Sequence, residues 1–348
     1  MSSIRWDRYA LVATQPHARA WLAIQANLGL APNTIDAYGR ALEDFFNFSA
    51  RSTIEPNSAK GDHIAAYVQD LRERPSRRGR SVLRIDSGAG LANATLQQRL
   101  TAVRLYYDYL LEEGIRTDNP VGRGRYTPGK AFGGQRNRGL IPRYHQLPWI
   151  PNDEQWQTIL GAVRGESLRN RMMFALAYDA ALRREELCSL ETGDIDPSQR
   201  LVRIRAETTK NRQERIVPYS EVTGQLYQNY LQHRRSLSRG RGPLFLSESR
   251  RNWAAPISIW TWSKVISDVA SRANVVQFTT HSLRHLRLTD LARANWDIHD
   301  IATFAGHRCT DTTLLYIHLS GRDLAEKLAR GMDQIHAWRI RMIGEVLQ

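Results

Sequence analysis

The chain reads as a mainly α protein with a small antiparallel β-sheet, an α+β arrangement of two domains. Three observations carry this. Four segments within residues 15–114 place apolar side chains at helical spacing. Two short β-branched runs, LVRIR (201–205) and ERIVPY (214–219), alternate around the polar turn TTKNRQ. Between these regions, residues 121–152 hold Gly, Pro and six basic residues with no acidic one, which is the composition of an extended connection. The expected division is an N-terminal helical domain over 1–120, a basic linker over 121–152, and a second domain over 153–348 that ends in a tail helix.

The elements follow in order. Residues 15–28 predict a first helix. Asn33 is the expected cap of a second, whose stripe is Ile35, Tyr38, Leu42, Phe45 and Phe46. Asp62 is the expected cap of a third, and Asn93 of a fourth that stops at Gly114. The aromatic residues on these helices belong to a core, since they share the apolar faces. Between the third and fourth helices, Arg74, Arg77, Arg78, Arg80 and Arg84 crowd one polar stretch. In the second half, 172–190 predicts one helix, LFLS (244–247) a short strand, and SIWTWSKVISDVASRA an apolar-striped helix.

Composition limits the partners. The 348 residues carry 49 Lys+Arg against 35 Asp+Glu, a net charge of +14, which favours a polyanion and nucleic acid first. No apolar run is long enough to span a membrane, and the N-terminus lacks the apolar core of a signal peptide, so a cytoplasmic location without membrane association is expected. The two cysteines, Cys188 and Cys309, fit a reduced compartment and exclude a disulfide framework.

The most informative stretch is TTHSLRHLRLTDLARANWDIHDIATFAGHRCTDTTLLY, residues 279–316. His281 and Arg284 are three apart, so on a helix they face one ligand. His307 and Tyr316 are nine apart, and at about 100° per residue one straight helix would turn them away from each other. Gly306 is a helix stop, and Thr310 or Asp311 a new start, so a break can bring Tyr316 back to His307. An arginine and two histidines around a phosphate, with a phenol beside it, make a plausible nucleophilic site.

These segments resemble the tyrosine recombinases, the phage-integrase and Xer-like enzymes. HSLRH (281–285) followed by GHRCTDTTLLYIH (306–318) looks like their C-terminal signature. ALRREEL (181–187) resembles the first-arginine motif, and TKNRQERIVPY (209–219) the β-hairpin lysine motif. The resemblance covers about 153–320 closely and the N-terminal part loosely. It implies a helical core-binding domain, a catalytic domain and a site-specific DNA recombinase acting through a 3′-phosphotyrosyl intermediate at Tyr316. It further implies that Arg183, Lys210, His281, Arg284 and His307 complete the catalytic set, with Glu186 orienting its neighbours. Double-stranded DNA is the expected partner, gripped in part by Arg74, Arg77, Arg78, Arg80, Arg123, Arg125 and Lys130. A homo-tetramer on two duplexes, with the helix at about 322–347 docked on a neighbour, is the expected assembly. Ala181, Thr209 and Asn211 stand where similar enzymes often have glycine.

No cofactor is expected and no metal site. Arginine forks can neutralise a phosphodiester in place of a cation. Asp194 and Asp196 fit a turn, and Asp297, His299 and Asp300 fit the start of a helix. Two other functions fit part of the pattern: a nicking or relaxing enzyme with the same tyrosine chemistry, and a DNA-binding protein without catalysis.

Overall fold

The computed structural model describes residues 4–74, 91–122, 141, 147–209 and 211–319, with side chains through Tyr316. Arg77, Arg78, Arg80, Arg84, Arg123, Arg125, Lys130, Lys210 and the expected tail helix lie outside the described residues. The chain divides into two compact units, Met1–His145 and Gln146–Gln348.

The first unit is helical: α1 (Ala10–Thr14), α2 (Pro16–Asn27), α3 (Pro32–Arg51), α4 (Gly61–Glu73) and α5 (Asn93–Glu112). The expected caps are each displaced inward. Asn33 lies inside α3 because Pro32 takes the first helical position, where its fixed φ suits the helix and its missing N–H costs nothing. Asp62 and Asn93 lie in the first turns of α4 and α5, where Asp62 accepts from the His63 N–H at 2.9 Å. The stop at Gly114 is as expected. Its φ of +70° lets the Ile115 N–H reach back to the Leu110 carbonyl at 2.9 Å.

The apolar faces of these helices meet in one aromatic core of Trp21, Phe45, Phe46, Tyr67, Tyr106 and Tyr107. Phe45 is fully buried and sits edge-on to Tyr67 at 5.1 Å and to Tyr107 at 6.1 Å. The polar tips of these tyrosines are satisfied: Tyr67 donates to Asp44 at 2.8 Å and Tyr107 to the Pro56 carbonyl at 2.6 Å. Val121 and Ile141 are buried against the same core.

The second unit packs helices around a small sheet. It opens with α6 (Asp153–Arg164), capped by Asn152, whose side chain accepts from the Gln155 N–H. The single helix expected over 172–190 is two: α7 (Leu168–Asp179) and α8 (Arg184–Cys188). The break is at Ala181, which takes a left-handed φ of +47°. Ala181 N–H then bonds Tyr178 O and Leu182 N–H bonds Ala177 O, both at 3.1 Å, closing α7. Three antiparallel strands follow, β1 (Ile195–Asp196), β2 (Leu201–Ile204) and β3 (Arg215–Pro218), in the order β1-β2-β3. Val202 pairs with Val217 and Ile204 with Arg215, so Val202, Ile204 and Val217 face the core while Ile216 is exposed. The strand expected at 244–247 is only a bridge from Leu246 to Pro256, because a proline without an N–H cannot extend a ladder. Then come α9 (Glu221–Leu237), α10 (Ile259–Arg272), α11 (Thr280–Arg293), α12 (Ile298–Ala305) and α13 (Asp311–Leu319).

Replacing Phe45 by Ala should destabilise the first unit by roughly 3–5 kcal/mol, the usual cost of emptying a packed aromatic site. Urea unfolding of the full chain checks this, and a loss below about 1 kcal/mol would show that Phe45 is not central to the core.

Candidate active site

The site is built where four parts of the second unit converge: the α7–α8 turn, the start of β3, α11 and the α12–α13 break. Glu186 is the centre of the first pair. Its side chain is 1% exposed and is held from two sides. Arg183 donates to Oε1 through Nη1 at 2.8 Å and to Oε2 through its backbone N–H at 2.9 Å. Arg215 makes a bidentate fork, Nη1 to Oε1 at 3.0 Å and Nη2 to Oε2 at 2.7 Å. Burial pushes the carboxyl upward, but Arg215 and Arg183 outweigh it and hold the group down at about 2.

Arg215 also reaches the end of α12. Its Nε donates to the Phe304 carbonyl at 3.1 Å. Gly306 closes that helix at φ +62°, and a Cβ there would lie 3.0 Å from Arg215 Nη1, so glycine suits both the dihedral and the close approach. The Gly306 carbonyl accepts from Arg183 Nη2 at 3.4 Å and from Asn211 Nδ2 at 3.2 Å. Through Asn211 the turn between β2 and β3 is tied to the same point.

Arg284 is 3% exposed on α11, and its bonds go to carbonyls and a histidine. Nη1 donates to Ala181 O at 2.5 Å and Nη2 to Ala305 O at 2.5 Å. Ala305 O is the last carbonyl of α12, the negative end of that helix, where a cation gains most, and Ala181 O belongs to the left-handed turn that follows α7. Burial and the nearby Arg183 still lower its pKa to about 9. Such a site favours an anion.

The break at Gly306 does what its spacing implied. α12 begins at the Asp297 cap, ends at Gly306, and α13 restarts at Asp311. The His307 and Tyr316 rings end up stacked, 6.0 Å apart and 8° from parallel. His307 Nε2 lies 3.1 Å from Arg284 Nη2, and its Nδ1 lies 2.9 Å from Thr313 Oγ1. Arginine can only donate, so Nε2 accepts and the ring proton sits on Nδ1. Burial, Arg284 and Arg183 lower the His307 pKa to about 3. Tyr316 is 3% exposed, and burial raises its pKa although Arg284 and Arg183 pull it down.

The expected residues Arg183, Arg284, His307 and Tyr316 are thus brought together, with Glu186 behind Arg183. His281 lies on the exposed rim of α11, its ring 6.2 Å from that of His285. Lys210 falls outside the described residues, but its neighbours are defined. Thr209 has φ −98° and Asn211 is not left-handed, so neither position calls for glycine; the left-handed residue of this turn is Arg212. Arg74 is committed within the first unit, to Asp44 at 2.5 Å and to Asp70. Asp196 accepts from the Ser198 and Gln199 N–H groups at 2.9 and 3.1 Å, and Asp194 from the Glu191 N–H at 2.8 Å, which is the turn chemistry expected of them. Among the described residues no acidic, histidine or cysteine cluster could hold a metal ion, and no helix is long and apolar enough to cross a membrane.

Two site residues escaped the sequence analysis. Arg215 stands in ERIVPY, where its register opposite Ile204 did not reveal its reach to Glu186. His285 closes HSLRH, and its Nδ1 lies 2.9 Å from the Tyr316 hydroxyl. Its spacing of four from His281 on a helix could have placed it on the same face.

The geometry brings guanidinium groups, imidazoles and a phenol to one point, a set whose chemistry suits phosphoryl transfer. Residues 151–322 match the phage integrase family, and residues 20–114 match the phage integrase N-terminal SAM-like domain. Tyrosine recombinase XerD of Caulobacter vibrioides is 29% identical over 313 residues, covering 85% of this chain and 88% of that one. Transposase A from transposon Tn554 of Staphylococcus aureus is 25% identical, covering 88% of each. Among solved structures, the XerH recombinase bound to palindromic difH superposes with a TM-score of 0.63 at 16% identity, over 85% of this chain and 79% of that one. The Tn1549 transposon integrase with transposon right-end DNA gives 0.61 at 18% identity, over 89% and 98%. The chain belongs to the phage integrase family. It is therefore a tyrosine recombinase, an enzyme that breaks and rejoins DNA.

The Glu186 pairing should appear in the acid limb of stability. Its pKa is lower folded, about 2, than its ordinary 4.5, so the stabilisation is complete above 4.5 and lost as the pH falls from there towards 2. That difference is worth about 3 kcal/mol. Glu186→Gln should lose about this much at pH 7 and show a flatter acid limb than wild type by urea unfolding; equal acid sensitivity in the two proteins would contradict the assignment.

Proposed function

We propose that the chain is a site-specific recombinase that cleaves a DNA strand by attack of Tyr316 on phosphorus, leaving a 3′-phosphotyrosyl ester and a 5′-hydroxyl. The bond energy is kept in the ester, so attack by a 5′-hydroxyl of another duplex rejoins the strands without a nucleotide cofactor. Arg183 and Arg284 hold the non-bridging oxygens and offset the charge that builds there, the part a metal ion plays in other phosphoryl transfers. Lys210 protonates the departing 5′-oxygen. Burial and then the positive field keep His307 neutral; bound phosphate offsets that field, so His307 then donates from Nε2 to a phosphate oxygen. His281, on the rim, contacts phosphate as well.

The observation that supports this most directly is the meeting of Tyr316, Arg284 and His307 from segments that the sequence keeps apart, with Arg183 joined to the same point through the Gly306 carbonyl. The net charge of +14 supports a duplex as substrate. In the proposed layout, residues 1–120 are a core-binding domain and 121–152 a basic linker, with Arg77, Arg78, Arg80, Arg123, Arg125 and Lys130 on DNA phosphates. Arg74 would have to leave Asp44 and Asp70 to join them. Four protomers act on two duplexes in the cytoplasm, each docking its helix at about 322–347 on a neighbour.

The test is covalent trapping in EDTA, with nicked duplexes drawn from DNA flanking the chain's own gene or selected from a random-sequence pool. Wild type should give a slower protein–DNA band on denaturing gels, and Tyr316→Phe should bind the duplex but give none. Arg284→Lys should slow the step by about 10²–10³-fold, the usual loss when one donor to the transition-state oxygens is removed. A band that persists in Tyr316→Phe would sink the nucleophile assignment.

A further inference from the structure

A phenol that attacks phosphorus must lose its proton, and burial makes Tyr316 a weaker acid than an exposed tyrosine. Something beside it must accept that proton. Arg284 faces the hydroxyl but has no lone pair to offer. His307 has both ring nitrogens engaged, with Arg284 and Thr313. Glu186 is filled by Arg183 and Arg215. His281 lies a helical turn earlier in α11, its ring 6.2 Å from that of His285. His285 remains, with Nδ1 at 2.9 Å from the hydroxyl and its ring tilted 33° to the phenol at 5.7 Å.

Resting on Tyr316 as the nucleophile, we propose that His285 is a catalytic residue that takes the Tyr316 proton on Nδ1 during attack. In that step the Tyr316 O–H bond breaks and its electron pair forms the bond to phosphorus. The proton goes to His285, and the bond from phosphorus to the 5′-oxygen breaks. In the reverse step imidazolium returns the proton to the phenolate as the 5′-hydroxyl attacks. The groups facing His285 are His281 and Arg284 from α11, His307 from the α12–α13 break and Tyr316 from α13. Burial first, then His281 and Arg284, lower its pKa to about 4, so the free site holds it neutral and ready to accept. The scissile phosphate supplies the negative charge that makes the imidazolium tolerable.

The experiment measures single-turnover formation of the covalent band on the trapped nicked duplex, from pH 6 to 9.5, for full-length wild type, His285→Asn, His281→Gln and Tyr316→Phe. The Asn amide can occupy the Nδ1 position and keep a hydrogen bond, but it cannot take a proton. His285→Asn should be at least about 10²-fold slow at pH 7. Its rate should then climb about tenfold per pH unit as hydroxide replaces the missing base, while His281→Gln, slowed by the loss of its phosphate contact, is slowed equally at every pH. A His285→Asn deficit equal at every pH, no such deficit at pH 7, or the slope appearing in His281→Gln instead would overturn the proposal. A wild-type band that is absent in Tyr316→Phe secures the nucleophile, so such results count against His285 alone. A readout that needs no variant is the ¹⁵N spectrum of the histidines in wild type. It should show His285 with its proton on Nε2, and a proton on Nδ1 would overturn the assignment as well.

Discussion

The structure around the site depends on one buried carboxylate. Glu186 accepts two hydrogen bonds from Arg183 and two from Arg215, and it does so almost out of reach of water. The nearly buried Arg215 could not stay beside the half-buried Arg183 without it, since an unpaired cation in that position loses hydration for no return. The pairing also fixes distances between elements. Arg183 begins α8, Arg215 begins β3, and Arg215 continues to the last turn of α12. The turn between β2 and β3, the first arginine and the end of α12 are therefore set by one electrostatic knot.

A second constraint is the placing of a cation with no carboxylate bonded to it. Arg284 is held by the Ala181 carbonyl in the turn after α7 and by the terminal carbonyl of α12, which orient it but leave its charge uncancelled. Backbone carbonyls are suited to this, because their partial charge fixes a guanidinium without cancelling the charge that meets an anion. Burial first, and then the same field, keep His285 and His307 neutral. Guanidinium groups and neutral imidazoles thus share the site, and the arrival of a phosphate shifts the histidines towards their charged form while opposing loss of the Tyr316 proton. Anion binding and imidazole protonation are thereby coupled through charge.

The left-handed residues mark where the backbone bends to make this possible. Gly306 turns the chain with no Cβ to obstruct Arg215. Ala181 makes the corresponding turn after α7 with a methyl in the core, at a conformational cost of about 1–2 kcal/mol. That turn is what aims the Ala181 carbonyl at Arg284, so the alanine keeps the geometry for which similar enzymes often use glycine.

Much of this was legible in the order of residues. Periodicity gave the helices of the first unit, alternation gave the β2–β3 hairpin, and Gly306 followed by Thr310 and Asp311 announced the break that returns Tyr316 to His307. Local rules suffice there because the signal lies within a few residues of the effect. Where a boundary depended on competing local preferences, as at Pro32 and Asn33, or on a strained residue, as at Ala181, the sequence misplaced it. What the tertiary structure alone decided is which groups share a point in space. Arg215 meets Glu186 across 29 positions, and His285 rather than His281 meets the Tyr316 hydroxyl across 31. A helix face specifies a direction but not what stands opposite, and only the packing of α11 against α13 supplies the partner.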